Sequence, residues 1–409
     1  MKKIIGPFKE ILPLSGLALN GAVHDDQLEV ILNGGVIVDQ GTIVETGNFE
    51  QLKQRYPELT VEEIEEDSVL IPGFVDCHTH ICFAGNRAKD YSLRIQGRSY
   101  LEIAKSGGGI WDSVTQTRLA DEELLTKLLL KRTEQHLSEG VTTIEVKSGY
   151  GLNLVNELKQ LRAIAKADEL SKADLIPTCL AEHLLPKDFT GTAIDYLKEV
   201  LENLLPVISA ENLAQRVDIF IEESAFDCPS ALYYLNAAKA MGFQLTVHAD
   251  QFTTGGLEVA IQTGALSADH LEASTAKEIS LLKDSKTVAV VLPGASLGLG
   301  MPYAPARELL NAGACVAIAS DWNPGSAPMG DLLMQAAVMS AYEKLSTAEV
   351  FAGLTFRAAQ ALGLIDRGRL TPGMIADMQS YPCSDYREIL YHQGKMKPHT
   401  VWKNGIKIV

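Results

Sequence analysis

Apolar runs of strand length alternate with longer amphipathic stretches through the centre of this chain, between about residues 70 and 365. The runs that we predict as strands are 73–80, 142–147, 175–183, 217–223, 244–248, 265–270, 287–292 and 315–321. Helices are predicted between them, for example at 121–137, 157–167, 229–241 and 307–312. Because this alternation is typical of parallel strands joined by crossover helices, it predicts an α/β fold. The number of units matches a (β/α)8 TIM-type barrel, which typically takes about 250 residues.

Both ends of the chain have a different pattern, with short β-prone runs separated by turn residues. Such runs occur within 28–45 and again at 378–381, 389–391 and 400–409, with a turn at 403–405. Runs of this kind indicate an antiparallel sheet. We therefore predict a small β-sandwich-like domain formed by both termini, in two parts at 1–69 and 367–409, around a barrel at 70–366.

Polar side chains end most of the predicted barrel strands. They are His78, His80, Lys147, His183, Glu223, His248, His270 and Asp321, and they include five of the nine histidines. Packing alone would favour Val or Ile at such positions. Since barrel enzymes carry their chemistry at the C-terminal ends of the strands, we predict that these residues surround an active site.

The first of these strands ends in a His-x-His pair. Side chains alternate between the two faces of a strand, so His78 and His80 point to the same side and can bind one metal ion. Histidines two residues apart also occur on solvated strand faces, so the pair alone is a weak signal. Together with His248 and Asp321 it indicates a zinc or iron site, at which the pKa of a bound water would be lowered toward neutrality.

Further roles follow from position in the predicted barrel. Asp321, at the end of the last strand, is expected to be a metal ligand and the general base. His270 is expected to orient the attacked carbonyl or to assist proton movement. His183 is equally compatible with a core histidine that donates to a backbone carbonyl. For Lys147 and Glu223 we favour a structural ion pair across the mouth of the barrel.

Two loops lie next to these strand ends. The glycine-rich run 106–110 lacks the spacing of a phosphate-binding loop, and we predict that it is a flexible loop over the site. Residues 323–326 follow the last strand and are compatible with two interpretations. They form either a simple turn or a rim that offers an amide, backbone N–H groups and a hydroxyl to a ligand.

The charge balance limits the partners of the chain. Asp and Glu number 52 against 36 Lys and Arg, a formal net charge of −16, which disfavours nucleic acid and anionic membranes. A small anionic substrate would need local cations, for which Arg87, Arg94 and Arg98 are candidates. The longest uncharged stretch, 287–306, is interrupted by proline and glycine, so we expect no membrane span.

Cysteine usage and the first residues predict a compartment. The six cysteines are scattered without a Cys-x-x-Cys pair, which favours a reducing environment. Lys9 and Glu10 interrupt the first apolar run before it reaches the length of a signal-peptide core. We therefore expect a cytoplasmic protein.

Several segments together resemble the amidohydrolase superfamily, and within it the enzymes that open an imidazolone ring. These segments are 72–80, 83–88, 106–110, 145–152, 247–251, 267–272 and 320–326, and they span nearly the whole chain. The resemblance implies that a metal-activated water hydrolyses the cyclic amide of 4-imidazolone-5-propanoate to N-formimidoyl-L-glutamate. It also implies one divalent zinc or iron ion and a homodimer.

The same resemblance implies roles for individual residues. The metal ligands would be His78, His80, His248 and Asp321. The substrate-binding residues would be Arg87, Tyr150, His183, Gln251, Asn323, Gly325 and Ser326, and the catalytic residues Asp321, His270 and His183. Arg87 would offer a bidentate guanidinium to the propanoate carboxylate.

Two departures separate the chain from other members of the superfamily. Related deaminases, and some enzymes that open the imidazolone ring, have a glutamate where this chain has Gln251; an amide cannot carry protons, which argues against deamination. Superfamily members with two metals use a carbamylated lysine at the end of strand four, where this chain has residues 221–223 without a lysine. One metal is therefore expected.

Two alternatives remain open at this point. The first is a deaminase or another cyclic amidase on the same scaffold, because a fold does not determine a substrate. The second is an inactive amidohydrolase-like protein that serves as a binding module. Such a protein would be expected to lose a metal ligand, whereas this chain keeps the whole predicted set.

Overall fold

Strands from both ends of the chain build one sheet in the computed structural model, which describes residues 2–98, 102 and 108–409. The N-terminal strands of this sheet are β1 (Lys3–Ile11), β2 (Ile31–Asp39), β3 (Thr42–Asn48), β4 (Thr60–Glu63) and β5 (Val69–Pro72). The central strands are β6 (Phe74–Asp76), β7 (Val141–Lys147), β8 (Asp174–Glu182), β9 (Arg216–Ile219), β10 (Gln244–Ala249), β11 (Ser267–His270), β12 (Val288–Val291) and β13 (Val316–Ile318). The terminal sheet is completed by β14 (Met378–Tyr381), β15 (Thr400–Lys403) and β16 (Ile406–Lys407).

Helices separate the central strands. Those before β9 are α1 (Phe49–Arg55), α2 (Ala88–Ile95), α3 (Ile110–Leu119), α4 (Glu122–Ser138), α5 (Leu154–Leu170), α6 (Ala193–Glu199) and α7 (Leu205–Ala210), with a π-helical turn at Val200–Leu204. The later helices are α8 (Cys228–Ala240), α9 (Gly256–Thr263), α10 (Ala276–Leu281), α11 (Pro293–Leu299), α12 (Ala306–Asn311), α13 (Leu332–Glu343), α14 (Thr347–Leu354), α15 (Phe356–Ala361) and α16 (Arg387–Tyr391). Short 3-10 turns lie at Asp25–Gln27 and Leu282–Asp284.

The eight central strands pair in chain order from β6 to β13, and every neighbouring pair is parallel. The predicted α/β class and (β/α)8 TIM-type barrel are therefore confirmed. Between β13 and β6 the ring closes just beyond the strand ends, where Thr79 forms a parallel bridge with Trp322. The N–H of His80 donates to the carbonyl of Trp322 (2.9 Å). The N–H of Asp321 donates to the carbonyl of His78 (3.1 Å), so the closure joins the His-x-His segment to the segment of Asp321.

The barrel strands are buried on both faces. Every residue of β7 and of β12 is buried, because helices cover the outside of the barrel and side chains fill its interior. Several helices begin at a residue whose side chain caps the first turn. Asp121 accepts the N–H of Leu124 at the start of α4, and Asn153 accepts the N–H of Asn156 at the start of α5. These caps satisfy donors that the first helical turn leaves without a partner.

The terminal sheet has the order β16, β15, β14, β5, β1, β2, β3, with β4 also paired to β1. β1 pairs in parallel with β4 and β5, while the other neighbours are antiparallel. The sheet is mixed, so the prediction of an antiparallel sheet is wrong in part, because turn residues specify only strands that a hairpin joins. Phe8 and Trp402 pack edge to face in its core, with ring centroids 6.1 Å apart.

One predicted strand of this sheet is a helix. Residues 389–391 end α16, which packs against α13 and buries Ile389. Three apolar residues are too few to distinguish a period of 2 from a period of 3.6. The predicted turn at 403–405 is confirmed, since Asn404 and Gly405 have φ values of +51° and +70°.

The domain division at residues 69 and 366 stays a prediction. β5 belongs to the terminal sheet, and only Gly73 separates it from β6 of the barrel. In the predicted loop 106–110, the first two residues lie outside the described residues, and α3 begins at Ile110. Within the described parts of the chain, no helix is both long enough and apolar enough to cross a bilayer.

Candidate metal centre and substrate pocket

Three histidines bring their ring nitrogens together at the C-terminal end of the barrel. His78 and His80 follow β6, and His248 lies in β10. The Nε2 atom of His80 is 3.2 Å from Nε2 of His78 and 3.3 Å from Nε2 of His248. Two nitrogen ligands at about 2.1 Å from one tetrahedral ion lie about 3.4 Å apart. The three nitrogens are therefore spaced like ligands of one metal ion.

Asp321 adds a carboxylate oxygen to this cluster. Its Oδ1 atom lies 3.4 Å from Nε2 of His80 and 3.6 Å from Nε2 of His78. The hydroxyl of Ser326 donates to Oδ2 (3.3 Å). Burial raises the pKa of Asp321 to about 7. Its φ of +51° is unusual for a residue other than glycine, and such backbone strain is often found at functional sites. The four predicted metal ligands thus lie together.

The donor set fits a cation. Burial lowers the pKa of His78 and His80 well below the usual histidine value and that of His248 to about 4, so the three rings are neutral. Nδ1 of His78 donates to Asp269, and Nδ1 of His248 lies 2.9 Å from the carboxylate of Asp218. A carboxylate beside Nδ1 favours the proton on that nitrogen, which leaves a lone pair on Nε2 of each ring. Lone pairs that face one another repel, whereas a cation between the three Nε2 atoms would be coordinated by all of them.

Buried carboxylates behind the rings fix their orientation. Asp269 accepts from Nδ1 of His78 at 2.6 Å, and Oδ2 of Asp218 lies 2.9 Å from Nδ1 of His248. Metal-binding histidines usually donate their other N–H to a carboxylate or a carbonyl in this way. Sequence reasoning missed both aspartates. The signal that could have identified them is an acidic residue inside a predicted strand, Asp218 in 217–223 and Asp269 in 265–270.

The predicted ion pair between Lys147 and Glu223 is wrong. The Nζ atom of Lys147 pairs with Glu145 (2.8 Å) and with Asp218 (2.9 Å) inside the barrel. The fourth barrel strand ends at Ile219, and Glu223 lies in a turn beyond it. The error came from extending this strand to residue 223.

His270 ends β11 with a φ of +92°. Its Nδ1 lies 3.4 Å from Oε2 of Glu272. Burial lowers the pKa of His270, but the charge and the hydrogen bond of Glu272 raise it, and the net shift is upward. The ring of His270 lies 5.4 Å from that of His248. His270 can therefore hold a proton beside rings that remain neutral.

His183 has features of both predicted roles, a structural histidine and a residue of the substrate pocket. Its Nδ1 donates to the carbonyl of Gly149 at 3.0 Å, as a structural histidine does. The same ring lines the pocket and stacks on His80, with centroids 5.3 Å apart. Burial lowers the pKa of His183 to about 3, so the ring is neutral and Nε2 is an acceptor.

A cavity of about 390 Å³ opens onto the histidine cluster, a size that suits a small molecule. The predicted site residues that line it are His80, Arg87, Tyr150, His183, His248, Gln251, His270, Asp321, Asn323, Gly325 and Ser326. His78 is fully buried and does not line the cavity. The structure therefore brings all the residues predicted as metal ligands, substrate-binding residues or catalytic residues to one place.

Arg87 is held against the pocket wall by two neighbours. Its Nε donates to Oδ2 of Asp90 at 2.8 Å. A Cβ atom on Gly325 would lie 2.4 Å from its Nη1, so only glycine at 325 lets the guanidinium approach the backbone so closely. Arg87 is 8% exposed. An anion bound there would meet a positive charge that water screens weakly.

Tyr150 lies on a loop that α5 holds in place. Glu157 accepts backbone N–H groups from three residues of the segment 149–152, at 2.7 to 3.1 Å. Gln160 accepts the N–H of Tyr150 at 3.1 Å. Both helix residues are fully buried. Sequence reasoning missed them, because polar residues on a helix are normally assigned to its solvated face.

The segment 323–326 is both a turn and part of the pocket wall. Oδ1 of Asn323 accepts the N–H groups of Gly325 (2.7 Å) and Ser326 (2.8 Å). Its Nδ2 donates to the carbonyl of Asp321 (2.7 Å). Asn323 therefore shapes the turn that follows the metal ligand, and the turn lines the cavity.

The remaining lining residues were not predicted as site residues. They are Arg94, Ile110, Leu184, Phe220, Ser224, Phe252 and Leu299. Arg94 was a candidate cation; it donates to the carbonyl of Gly298 at 2.7 Å. Arg98, another candidate, pairs with Glu102 and does not line the cavity. Leu184, Phe220 and Phe252 lie outside the helices and strands, and Ile110 and Leu299 lie at helix ends, so no periodicity indicates their place in a pocket.

Comparisons with known proteins agree with this fold and site. Residues 69–407 match the model of the Amidohydrolase family. An imidazolonepropionase of Myxococcus xanthus is 44% identical over 336 residues, covering 82% of this chain and 80% of that protein. An imidazolonepropionase of Deinococcus deserti is 39% identical over 399 residues and covers 97% of both.

A solved structure shares the fold. It is a mutant of the atrazine chlorohydrolase TrzN from Arthrobacter aurescens, complexed with zinc and atraton, with a TM-score of 0.72 and 15% identity, covering 99% of this chain and 95% of that one. Fold and site together define a hydrolase of carbon–nitrogen bonds. The chain belongs to the amidohydrolase family and, within it, to the group of relatives named imidazolonepropionase.

Proposed function

We propose that this chain hydrolyses 4-imidazolone-5-propanoate to N-formimidoyl-L-glutamate, a step in the degradation of L-histidine. The observation that carries the proposal is that Arg87 and the histidine cluster line the same cavity of about 390 Å³. A small ring with a carboxylate tail can contact both. The names of the relatives from Myxococcus xanthus and Deinococcus deserti support the same substrate.

The metal centre of this proposal is one divalent ion, zinc or iron, held by His78, His80, His248 and Asp321. Neutral imidazoles and a carboxylate suit either metal. When bound, the ion lowers the pKa of a coordinated water and polarises the attacked carbonyl. A single ion is expected because residues 216–224, at the end of the fourth barrel strand, contain no lysine.

The pocket residues orient the substrate. Arg87 would bind the propanoate carboxylate through its guanidinium edge, and its low exposure strengthens this contact. His183 is neutral and would accept a ring N–H through Nε2. Tyr150, Gln251 and Ser326 would complete the contacts with the ring.

Two groups would move protons. Asp321 would accept the proton of the attacking water, since its carboxylate lies within the ligand cluster. His270, paired with Glu272, would donate a proton to the ring nitrogen as the carbon–nitrogen bond breaks. Gln251 would only donate or accept hydrogen bonds, because an amide carries no labile proton near neutral pH.

We propose a cytoplasmic homodimer that acts on a small anionic substrate, without nucleic acid or a membrane as partner. The formal net charge of −16 favours this choice of partners. Sedimentation velocity of the purified protein tests the dimer. A single species with the mass of one chain would contradict it.

Turnover tests the function directly. The protein, loaded with zinc or ferrous iron, should convert freshly prepared 4-imidazolone-5-propanoate to N-formimidoyl-L-glutamate, detected by mass spectrometry. A cytosine-like amine and a hydantoin-like cyclic amide serve as comparison substrates. Faster turnover of the first would favour a deaminase, and faster turnover of the second would favour another cyclic amidase. Inactivity of the fully metal-loaded protein toward all three would refute the proposal.

A further inference from the structure

The interior of the barrel carries a charged layer directly beside the histidine cluster. Glu145 and Lys147 lie in β7, Asp218 in β9 and Asp269 in β11, and all four side chains are at most 1% exposed. A layer of a barrel interior is normally supplied by alternate strands and filled with Val, Ile or Leu. Here the alternate strands supply ionic groups instead, although burying charges is costly.

Lys147 lies at the centre of this layer. Its Nζ is 2.8 Å from Oε1 of Glu145 and 2.9 Å from Oδ2 of Asp218. It is 3.9 Å from Oδ2 of Asp269. One ammonium group thus faces three carboxylates, which on their own would repel one another strongly in the low-dielectric interior.

Each of the three carboxylates also binds part of the metal-ligand set. Asp218 accepts the backbone N–H of His248 (3.2 Å), and its Oδ2 lies 2.9 Å from Nδ1 of the same histidine. Oδ2 of Asp269, which lies 3.9 Å from Nζ of Lys147, also accepts from Nδ1 of His78 (2.6 Å). Glu145 accepts the N–H of the residue between His78 and His80 (3.1 Å).

We propose that Lys147 is a positioning residue of the metal centre, whose ammonium group orients the carboxylates that hold His78, His248 and the backbone between His78 and His80. Lys147 is not one of the proposed metal ligands and does not line the cavity. Its removal would let the carboxylates move apart, and the ring nitrogens would lose their spacing. The inference rests on the metal site of the proposed function, but not on the identity of the substrate.

A second buried lysine offers a matched control. Lys403 in β15 is 5% exposed and pairs with the partly exposed Asp174 (2.9 Å) and the buried Asp377 (2.7 Å), so it too is a buried ammonium group between carboxylates. It lies in the terminal sheet rather than in the charged layer. Lys147→Met and Lys403→Met therefore remove the same buried group, in one case beside the histidine cluster and in the other case in the terminal sheet.

The test measures zinc affinity by competition with a chromophoric chelator, together with the thermal midpoint of each metal-free protein. Lys147→Met should weaken zinc binding by about 10- to 100-fold, the usual effect of losing a residue that supports metal ligands. Lys403→Met should lower the thermal midpoint but leave zinc affinity within about twofold of the parent protein. In the zinc-saturated Lys147→Met variant, kcat should fall more than KM changes, because the substrate contacts are retained.

Equal zinc affinities for Lys147→Met and the parent protein would overturn the inference. If Lys147→Met does not fold, Lys147→Gln takes its place and must show the same loss of affinity. If neither Lys147→Met nor Lys147→Gln folds while Lys403→Met does, Lys147 is needed for folding of the barrel. That outcome would also overturn the inference. The parent protein separates this test from the proposed function: if it binds zinc but does not turn over the imidazolone, only the substrate assignment fails.

Discussion

The backbone N–H of Asp321 donates to the carbonyl of His78 at 3.1 Å, so the first and last barrel strands meet at the candidate metal centre. The side chain of Asp76 strengthens this junction, because its Oδ1 accepts the N–H of Ser320 at 3.0 Å. Three of the four proposed ligands therefore lie on two segments that hydrogen-bond directly to each other. Barrel closure and ligand geometry depend on the same contacts.

Metal removal should consequently loosen the junction between β6 and β13. A ligand that binds only the folded state stabilises it by about 4 kcal/mol at a thousand times its dissociation constant. We expect dialysis against a chelator to abolish turnover and lower the thermal midpoint. Hydrogen exchange should accelerate at the amides of His80 and Asp321, and one equivalent of zinc or ferrous iron should reverse all three changes. Unchanged exchange at these amides would contradict the coupling.

Replacement of Asp321 tests its double role. Asp321→Ala should abolish measurable turnover, and Asp321→Asn should reduce kcat by about 10²- to 10⁴-fold, the usual contribution of a general base. Circular dichroism of both variants should match the parent protein, because the side chain lies at the end of the barrel and not in its hydrophobic core. A near-normal rate for Asp321→Ala would exclude it as the base.

Much of this architecture can be predicted from the sequence, for a physical reason. Buried parallel strands are mostly apolar, so a polar residue at a strand end, such as His248 or Asp321, is conspicuous. The (β/α)8 order follows from the alternation of strands and helices, and the ligand set follows from the strand ends together with the family resemblance.

The residues that contact and orient the ligand side chains could not be predicted from the sequence in the same way. Asp218 lies next to His248 from the neighbouring strand β9, and Asp269 contacts His78 across the barrel interior from β11, so both contacts exist only in the folded barrel. The partner of Lys147 was misassigned because a strand end was placed too late in the chain. Glu157 lies on a helix, and only the fold brings it under the loop of Tyr150. Long-range pairing of this kind has no local pattern.

Gly325→Ala should impair substrate binding selectively. The new Cβ would lie 2.4 Å from Nη1 of Arg87, so the guanidinium has to move away from the turn at 323–326. Overpacking of this kind costs about 1 to 3 kcal/mol. We expect KM for the imidazolone to rise by about 10- to 100-fold, with a smaller change in kcat.

Gly16→Ala is the control, since no heavy atom lies within 4 Å of its new Cβ, and it should behave like the parent protein. Equal KM values for the two variants would argue against Arg87 as the carboxylate-binding group.

Glu157→Gln should disturb the position of Tyr150 without removing any group from the pocket. The carboxylate accepts three backbone N–H groups of the segment 149–152, whereas a glutamine side chain has one acceptor oxygen and an NH2 group that cannot accept. A buried N–H left without a partner costs about 1 to 3 kcal/mol, so the thermal midpoint should fall. We expect kcat/KM to fall by about tenfold, while zinc affinity stays unchanged because Glu157 contacts none of the proposed ligands.

Glu258→Gln, on the exposed face of α9, changes the same functional group without touching the loop and should leave both kcat/KM and the thermal midpoint unaltered. A parallel loss of zinc affinity in Glu157→Gln would mean that the loop supports the metal centre rather than the substrate.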